Sequence, residues 1–248
     1  MVVHRDGEGR GPATSFALVA AAYERGRPGF PAEAVRWLAG ESPRDVVDLG
    51  AGTGKLTREL VALGHRVTAV EPLTAMLELL VANAPGAFVQ LGSAEVIPLP
   101  DDYADVVTVA QAFHWFDHAL ALPEIARLLR PRGRLALVWN TRDDREPWVK
   151  ELSRVIGVEV VSRDDAVVPI DASGLFGPVE LTTFPWVQRL DAATLRDLVL
   201  SRSYVAIKSP EEREQVLADV DRLFAEHATG GEIELPYVTQ CYRAALLA

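Results

Sequence analysis

Between residues 46 and 139 the chain repeats one pattern, a short and continuously apolar run followed by apolar residues at helical spacing. Residues 46–49, 66–70, 88–91, 105–110 and 135–139 read as strands. Leu56, Leu60, Val61 and Leu63 give a helix after the first of them. Residues 74–84 give a second helix, with Met76, Leu77, Leu80 and Val81 inward and Pro85-Gly86 as its stop. Residues 118–129 give a third, closed by Pro131-Arg132-Gly133. Strands without polar alternation are buried on both faces. Strand, helix, strand in this rhythm closes as βαβ units, a parallel sheet with helices on both sides. The fold class is therefore α/β, a doubly wound Rossmann-like sheet.

After Asn140 the rhythm changes. Residues 141–178 are charged and irregular, with a helix expected over 148–158. Residues 179–186 read as a strand containing Pro185, which has no N–H to give a ladder and so belongs on an edge. Residues 192–203 and 210–227 read as helices, the latter with Ser209 as N-cap and acids in its first turn. Gly230-Gly231 is a break, and 237–242 is a last strand. With 248 residues, 49% of them apolar, and no repeats, a single domain over 1–248 is the simplest partition.

Charge narrows the partners. The formal net charge of −10 repels phosphate backbones, so nucleic acid is not an expected partner. Cys241 is the lone cysteine, which excludes an intrachain disulfide and fits a reducing cytoplasm. The apolar stretch 16–22 follows mixed charges and runs into YERGRPGFP, so a short amphipathic helix is expected there rather than a signal peptide. No segment has the ~18 apolar residues of a membrane span.

The chemistry sits in VVDLGAGTGK, residues 46–55. As a phosphate-binding loop it fails at both ends, with Leu49 where the first glycine belongs and Leu56 where a hydroxyl belongs. As a dinucleotide turn it is partial, because Lys55 stands at the third small position. Asp48, just before the glycines, is unfavourable beside a pyrophosphate and favourable beside a cation. Glu71, at the end of the second strand, is placed to accept hydrogen bonds from ribose hydroxyls. Together they suit S-adenosylmethionine, which carries a sulfonium and an ammonium and no phosphate. The plainer alternative is a solvated Asp48 and a helix-capping Glu71.

These blocks resemble the class I S-adenosylmethionine-dependent methyltransferases, in the small-molecule group of the quinone-biosynthesis and trans-aconitate-like enzymes. The resemblance rests on VVDLGAGTGK, VTAVEPLTAML, GSAEVIPLPDDYADVVTVAQAFHWF and LLRPRGRLALVWN, with AAAYERGRPGFP matching the N-terminal segment of one branch. It covers residues 16–140, the expected cofactor-binding half; 141–248 would supply substrate-side helices and the last two strands. The resemblance implies a seven-stranded sheet in the order 3-2-1-4-5-7-6 with the last strand antiparallel. It implies that Gly50, Ala51, Gly52 and Gly54 face the methionine part of the cofactor and that Glu71 holds the ribose. Pro72, Met76, Ser93, Ala94 and Glu95 would surround the adenine, with Ser93 standing where the family often has Asp. Ala110 and Gln111 would lie under the sulfonium, and Tyr23 and Arg27 would reach the cofactor carboxylate.

Methyl transfer needs mainly proximity, alignment and a dry pocket. An oxygen or nitrogen acceptor can also need a base, for which His114 in HWFDH is the candidate; a stacking or structural histidine is the alternative. Trp115, Phe116, Trp139 and Trp148 are candidate walls for the acceptor, and core packing explains each of them as well. His114, Asp117 and His118 form a short cluster, but no metal is expected. The competing functions are an NAD-dependent oxidoreductase on a related fold and a catalytically silent cofactor-binding protein.

Overall fold

The structure, a computed structural model, describes residues 24–157, 163–202, 205 and 207–247. The segment 16–22 and Tyr23 lie outside the described residues. Seven strands, β1 (Asp45–Leu49), β2 (Arg66–Glu71), β3 (Phe88–Leu91), β4 (Ala104–Ala110), β5 (Leu129–Arg142), β6 (Glu180–Leu190) and β7 (Ile233–Ala245), form one sheet. Their order is β3-β2-β1-β4-β5-β7-β6. The first five run parallel, and β7 is antiparallel to both β5 and β6. Pro185 is on β6, the outermost strand.

Helices cover both faces. α1 (Ala32–Ala39) and α2 (Lys55–Ala62) pack on Val46, Val106, Ala136, Val138 and Cys241. On the opposite face α4 (His118–Leu128) and α6 (Arg163–Ser173) pack on Val47, Val107, Leu137 and Tyr242. α3 (Thr74–Asn83) lies near β2 and β3. A third core joins α5 (Pro147–Ile156), α7 (Ala192–Leu200) and α8 (Pro210–His227) to Leu190, Ile233, Leu235 and Tyr237. It thus caps the ends of β6 and β7 that flank the parallel strands' carboxyl side. α8 opens with a full capping box: Ser209 Oγ accepts the Glu212 N–H and Glu212 Oε2 accepts the Ser209 N–H.

Four sequence expectations change. Pro131-Arg132-Gly133 does not follow the third helix as a plain stop; it lies inside β5, which pairs at Leu129↔Ala104 and resumes at Arg134↔Val106 after a register shift. A bulge absorbs the proline that a regular ladder would exclude. α6 occupies part of a stretch expected to be irregular. It holds Pro169 in its interior, and a proline there reads from sequence as a break. Of the four apolar residues expected inward on α3, only Leu80 is buried, and Val81 is 56% exposed. β3 beneath it is four residues long and largely exposed, too narrow to cover a whole helix face. The 192–203 helix ends at Leu200, and 203 lies outside the described residues.

Candidate active site

β1 ends at Leu49 and α2 begins at Lys55, so the glycine turn forms the link between strand and helix. The N–H groups of Gly50 and Ala51 both donate to the Val70 carbonyl, at 2.8 and 3.1 Å, which pins the turn to β2. Gly50 has φ 68°, and a Cβ on it would meet Ala112 Cβ at 2.9 Å; on Gly52 a Cβ would meet nothing within 4 Å. One glycine lets the loop after β4 close on the turn, and the other leaves its backbone open to a ligand.

Glu71 is 5% exposed. Its Oε2 accepts the Gly52 N–H at 2.9 Å and its Oε1 accepts the Leu73 N–H at 3.0 Å. Leu73 is the N-cap position of α3, so the capping role weighed against ribose binding is present in the geometry. Burial raises the carboxyl's pKa, and the two N–H donors oppose that rise.

Asp48 is neither solvated nor turned to a ligand. It is fully enclosed, its Oδ2 accepting the Thr57 hydroxyl at 2.6 Å and its Oδ1 the Thr108 hydroxyl at 3.0 Å. Desolvation pushes its pKa up to about 6 against the pull of those two hydroxyls. It shares Val46's face of β1, the face that α2 covers, so it acts on the turn through α2 and through its field. The expectation of direct contact with a cation is corrected accordingly.

Lys55, which spoiled the dinucleotide pattern, has a structural task. Its Nζ donates to the Glu24 carbonyl at 2.6 Å and lies 3.5 Å from the Glu24 carboxylate. Burial lowers its pKa. The same carboxylate accepts the Thr53 hydroxyl at 2.5 Å and Arg58 Nη1 at 2.6 Å. From there residues 24–29 cross the sheet as a strap. Arg25 pairs with Asp197 on α7, Gln188 on β6 donates to the Gly26 carbonyl, and Asn140 on β5 donates to the Gly29 carbonyl. Arg27 on this strap donates through Nε to Ser201 Oγ at 3.0 Å. A small cavity brings together Arg27, Gly50, Ala51, Gly52, Ala110 and Gln111. Glu24, Thr53 and Lys55 escaped the sequence reading because their partners are remote in the chain. The charged YERGR run beside the matched motif was the available signal.

Gln111 follows β4 with φ 55°, a left-handed conformation for a side-chain-bearing residue, and its N–H donates to the Val138 carbonyl at 2.9 Å. Backbone strain of this kind persists only where its surroundings over-determine it. The loop after β3 carries Ser93 and a buried Ala94, and Glu95 Oε1 accepts the Asp117 N–H at 3.0 Å. Glu95 thereby ties that loop to the start of α4. Pro72 is exposed and Met76 half-buried at the start of α3, and Gly54 packs against Leu80.

His114 lies in a 3-10 turn, Phe113–Trp115, half-buried with its ring 4.8 Å from that of Trp115. Phe116 packs near Gly50. Asp117 caps α4 through the Ala119 N–H, and His118 stacks on Phe113. Among the described residues no three His, Cys, Asp or Glu side chains are grouped to hold a metal. Two expected walls are corrected. Trp139 is buried edge-on against Tyr242 in the core, because its position on β5 points into the α4/α6 face. Trp148 stacks on His227 and lines a separate cleft with Arg189, Glu232 and Pro236 at the β6/β7 edge. No helix among the described residues is long and apolar enough to cross a membrane.

Comparison with known proteins agrees with this geometry. A family model described as "Methyltransferase domain" matches residues 47–137. An uncharacterized methyltransferase of Mycobacterium tuberculosis is 47% identical over 241 residues, covering 96% of this chain and 98% of the relative. The malonyl-[acyl-carrier protein] O-methyltransferase of Methylococcus capsulatus is 38% identical over 103 residues, 39% of this chain and 38% of that enzyme. Among solved structures, Haemonchus contortus phosphoethanolamine N-methyltransferase 2 in complex with S-adenosyl-L-methionine superposes with a TM-score of 0.56 at 13% identity. That match covers 95% of this chain and 57% of the other and speaks to the fold alone.

Proposed function

Given that the chain belongs to the class I S-adenosylmethionine-dependent methyltransferases, we propose that it methylates an oxygen of a small-molecule acceptor. The observation that carries this reading is the pairing of an open glycine backbone at Gly52 with the Glu71 carboxylate that grips it. Two acids beside the turn disfavour a phosphate, and a carboxylate at the strand end fits a ribose diol, so the residues present fit the cofactor.

In this reading Gly50, Ala51, Gly52 and Gly54 give backbone room to the amino-acid part of the cofactor. Glu71 takes the ribose hydroxyls, and Pro72, Met76, Ser93, Ala94 and Glu95 enclose the adenine. Arg27, with Tyr23, meets the cofactor carboxylate. The cofactor supplies a methyl group already activated by the sulfonium. Ala110 and the strained Gln111 backbone fix the position where the acceptor oxygen must arrive, and the strap excludes water. In the same reading His114 takes a proton from the acceptor, and Trp115 and Phe116 border it. Oxygen is preferred because the Methylococcus relative is an O-methyltransferase. A small acceptor rather than nucleic acid suits the net charge of −10. A cytoplasmic setting suits the single buried cysteine, whose thiol burial pushes up to about 12.

Calorimetry is expected to give micromolar binding of S-adenosylmethionine or its demethylated product and far weaker binding of NAD. Equal binding of NAD would overturn the cofactor assignment. Incubation of source extracts with carbon-13 methyl-labelled cofactor should yield a product whose methyl resonance is that of an O-methyl group. An N-methyl resonance would overturn the acceptor atom while leaving the family intact.

A further inference from the structure

Three side chains on neighbouring strands form one run of hydrogen bonds that ends on the strap over residues 24–29. Thr239 on β7 pairs across the ladder with Asn140 on β5 and with Phe184 on β6, two residues before Trp186. Trp186 Nε1 donates to Thr239 Oγ1 at 2.8 Å, and Thr239 Oγ1 donates to Asn140 Oδ1 at 2.6 Å. Asn140 Nδ2 then donates to the Gly29 carbonyl at 2.8 Å. Thr239 is fully buried, so bulk water does not compete for its hydroxyl.

Hydrogen-bond chemistry gives this run a direction. An indole N–H only donates, so it takes a lone pair of the Thr239 oxygen and sends the hydroxyl proton to the other neighbour. A donating hydroxyl meets the amide oxygen of Asn140, which turns the amide N–H groups towards the strap. Each bond polarises the next. The run ends beside the cavity of the glycine turn. Gly29 sits between Pro28 and Phe30, and both of these line that cavity with Gly50, Gly52 and Gln111. The opposite wall hangs from the same strand end, because the Val138 carbonyl, two residues before Asn140, accepts the Gln111 N–H at 2.9 Å. Two positions on β5 therefore hold the two walls, Val138 the Gln111 turn and Asn140 the strap.

We propose that Asn140 is a positioning residue for methyl transfer: steered by Thr239 and Trp186, it fixes Gly29 and so sets the gap between the strap and the Gln111 turn. This rests on the methyltransferase reading above and adds to it three residues that act on the cofactor through the backbone of the strap. Stability alone would be served by any satisfied amide at Asn140, whereas the gap depends on which way that amide faces.

The test uses the whole chain and two readouts: S-adenosylhomocysteine affinity by calorimetry, and the Trp186 indole N–H resonance by nitrogen-15 NMR, assigned with Trp186→Phe. Asn140→Asp sets an oxygen against the Gly29 carbonyl and should weaken binding about tenfold. Thr239→Val keeps the shape but removes the hydroxyl that steers the amide, and should weaken binding about fivefold. Thr239→Ser keeps the hydroxyl and should bind as the parent does, so the Val and Ser pair decides the matter even where Asn140→Asp does not fold. The Trp186 indole proton should lose its hydrogen-bonded shift in Thr239→Val. In the parent it should move when S-adenosylhomocysteine is added, although Trp186 does not line the cavity. Lower melting temperatures with unchanged affinity in Asn140→Asp and Thr239→Val would make the run a fold support only and overturn the proposal. A Trp186 resonance indifferent to the ligand overturns it too. Both of these results leave the methyltransferase reading standing, whereas a parent protein that binds no S-adenosylhomocysteine overturns the cofactor assignment and the proposal with it.

Discussion

The carboxylate of Glu71 receives the Gly52 amide at 2.9 Å, so the last residue of β2 holds the middle of the glycine turn. It receives the Leu73 amide as well and therefore also supports the first turn of α3.

Replacing Glu71 with Ala strands two N–H groups and removes the proposed ribose ligand. Affinity for S-adenosylhomocysteine is expected to fall at least tenfold, and the ligand-free protein to lose about 1–3 kcal/mol. Glu71→Gln keeps an acceptor for one amide and turns an NH2 towards the other, so it should recover part of the stability and little of the affinity. Calorimetry and thermal melts separate the two effects. Unchanged affinity in the Ala variant would leave Glu71 as a cap only.

Asp48 predicts a pH signature. Its folded-state pKa of about 6 lies above its ordinary 3.8. The contribution it makes to stability is whole below the ordinary value and is lost as pH rises through about 6. Melting temperatures between pH 4 and 6.5 should therefore carry a downward slope from this group, absent in Asp48→Asn. A cationic ligand favours the ionised form. S-adenosylmethionine should thus tighten as pH rises through about 6 more than its neutral-sulfur product does. Parallel pH profiles for the two ligands would show that Asp48 does not sense the sulfonium.

Glu24 clasps Thr53, Lys55 and Arg58 at once. Glu24→Ala leaves the desolvated Lys55 ammonium without its carboxylate. A loss of about 2–4 kcal/mol is expected, together with faster tryptic cleavage after Arg25 and weaker cofactor binding. Parental cleavage rates would mean that the strap is held by its other contacts.

His114→Ala should lower turnover by about two orders of magnitude if the accepting oxygen begins as a hydroxyl. Cofactor binding should stay intact. A small loss of turnover would identify an acceptor oxygen that needs no base, and loss of cofactor binding would reveal a histidine that shapes the loop after β4.

The parallel part of the sheet was legible because buried strands and helices leave their periods in the sequence. Glu71 was legible because a strand end fixes where its side chain must be. Asp48 was not, because a carboxylate buried on two threonine hydroxyls and one facing a ligand occupy the same position in the pattern. Only the threonine on α2 and the threonine on β4 separate them. Trp139 and Trp148 were ambiguous for a related reason. An aromatic towards the end of a strand, like Trp139, or in the first turn of a helix, like Trp148, is equally at home in a cleft or in a core, and the elements packed against it decide. α6 stayed hidden because Pro169 gives a stop signal that tertiary packing on α4 overrides. The Asn140–Thr239 pairing needed the register of β7 against β5, which short-range patterning does not carry.

The strap over residues 24–29 touches the glycine turn at one end and the β5 and β6 ends at the other. In the proposed reading this segment borders both ligands, so their arrivals depend on each other: the cofactor would enter its turn beneath Glu24 and Arg27 first, and the acceptor would then meet the seated strap. Initial-rate kinetics should then follow a compulsory order, with the cofactor first to bind and its demethylated product last to leave. Escape of that product, rather than the methyl-transfer step, would set the pace of the cycle.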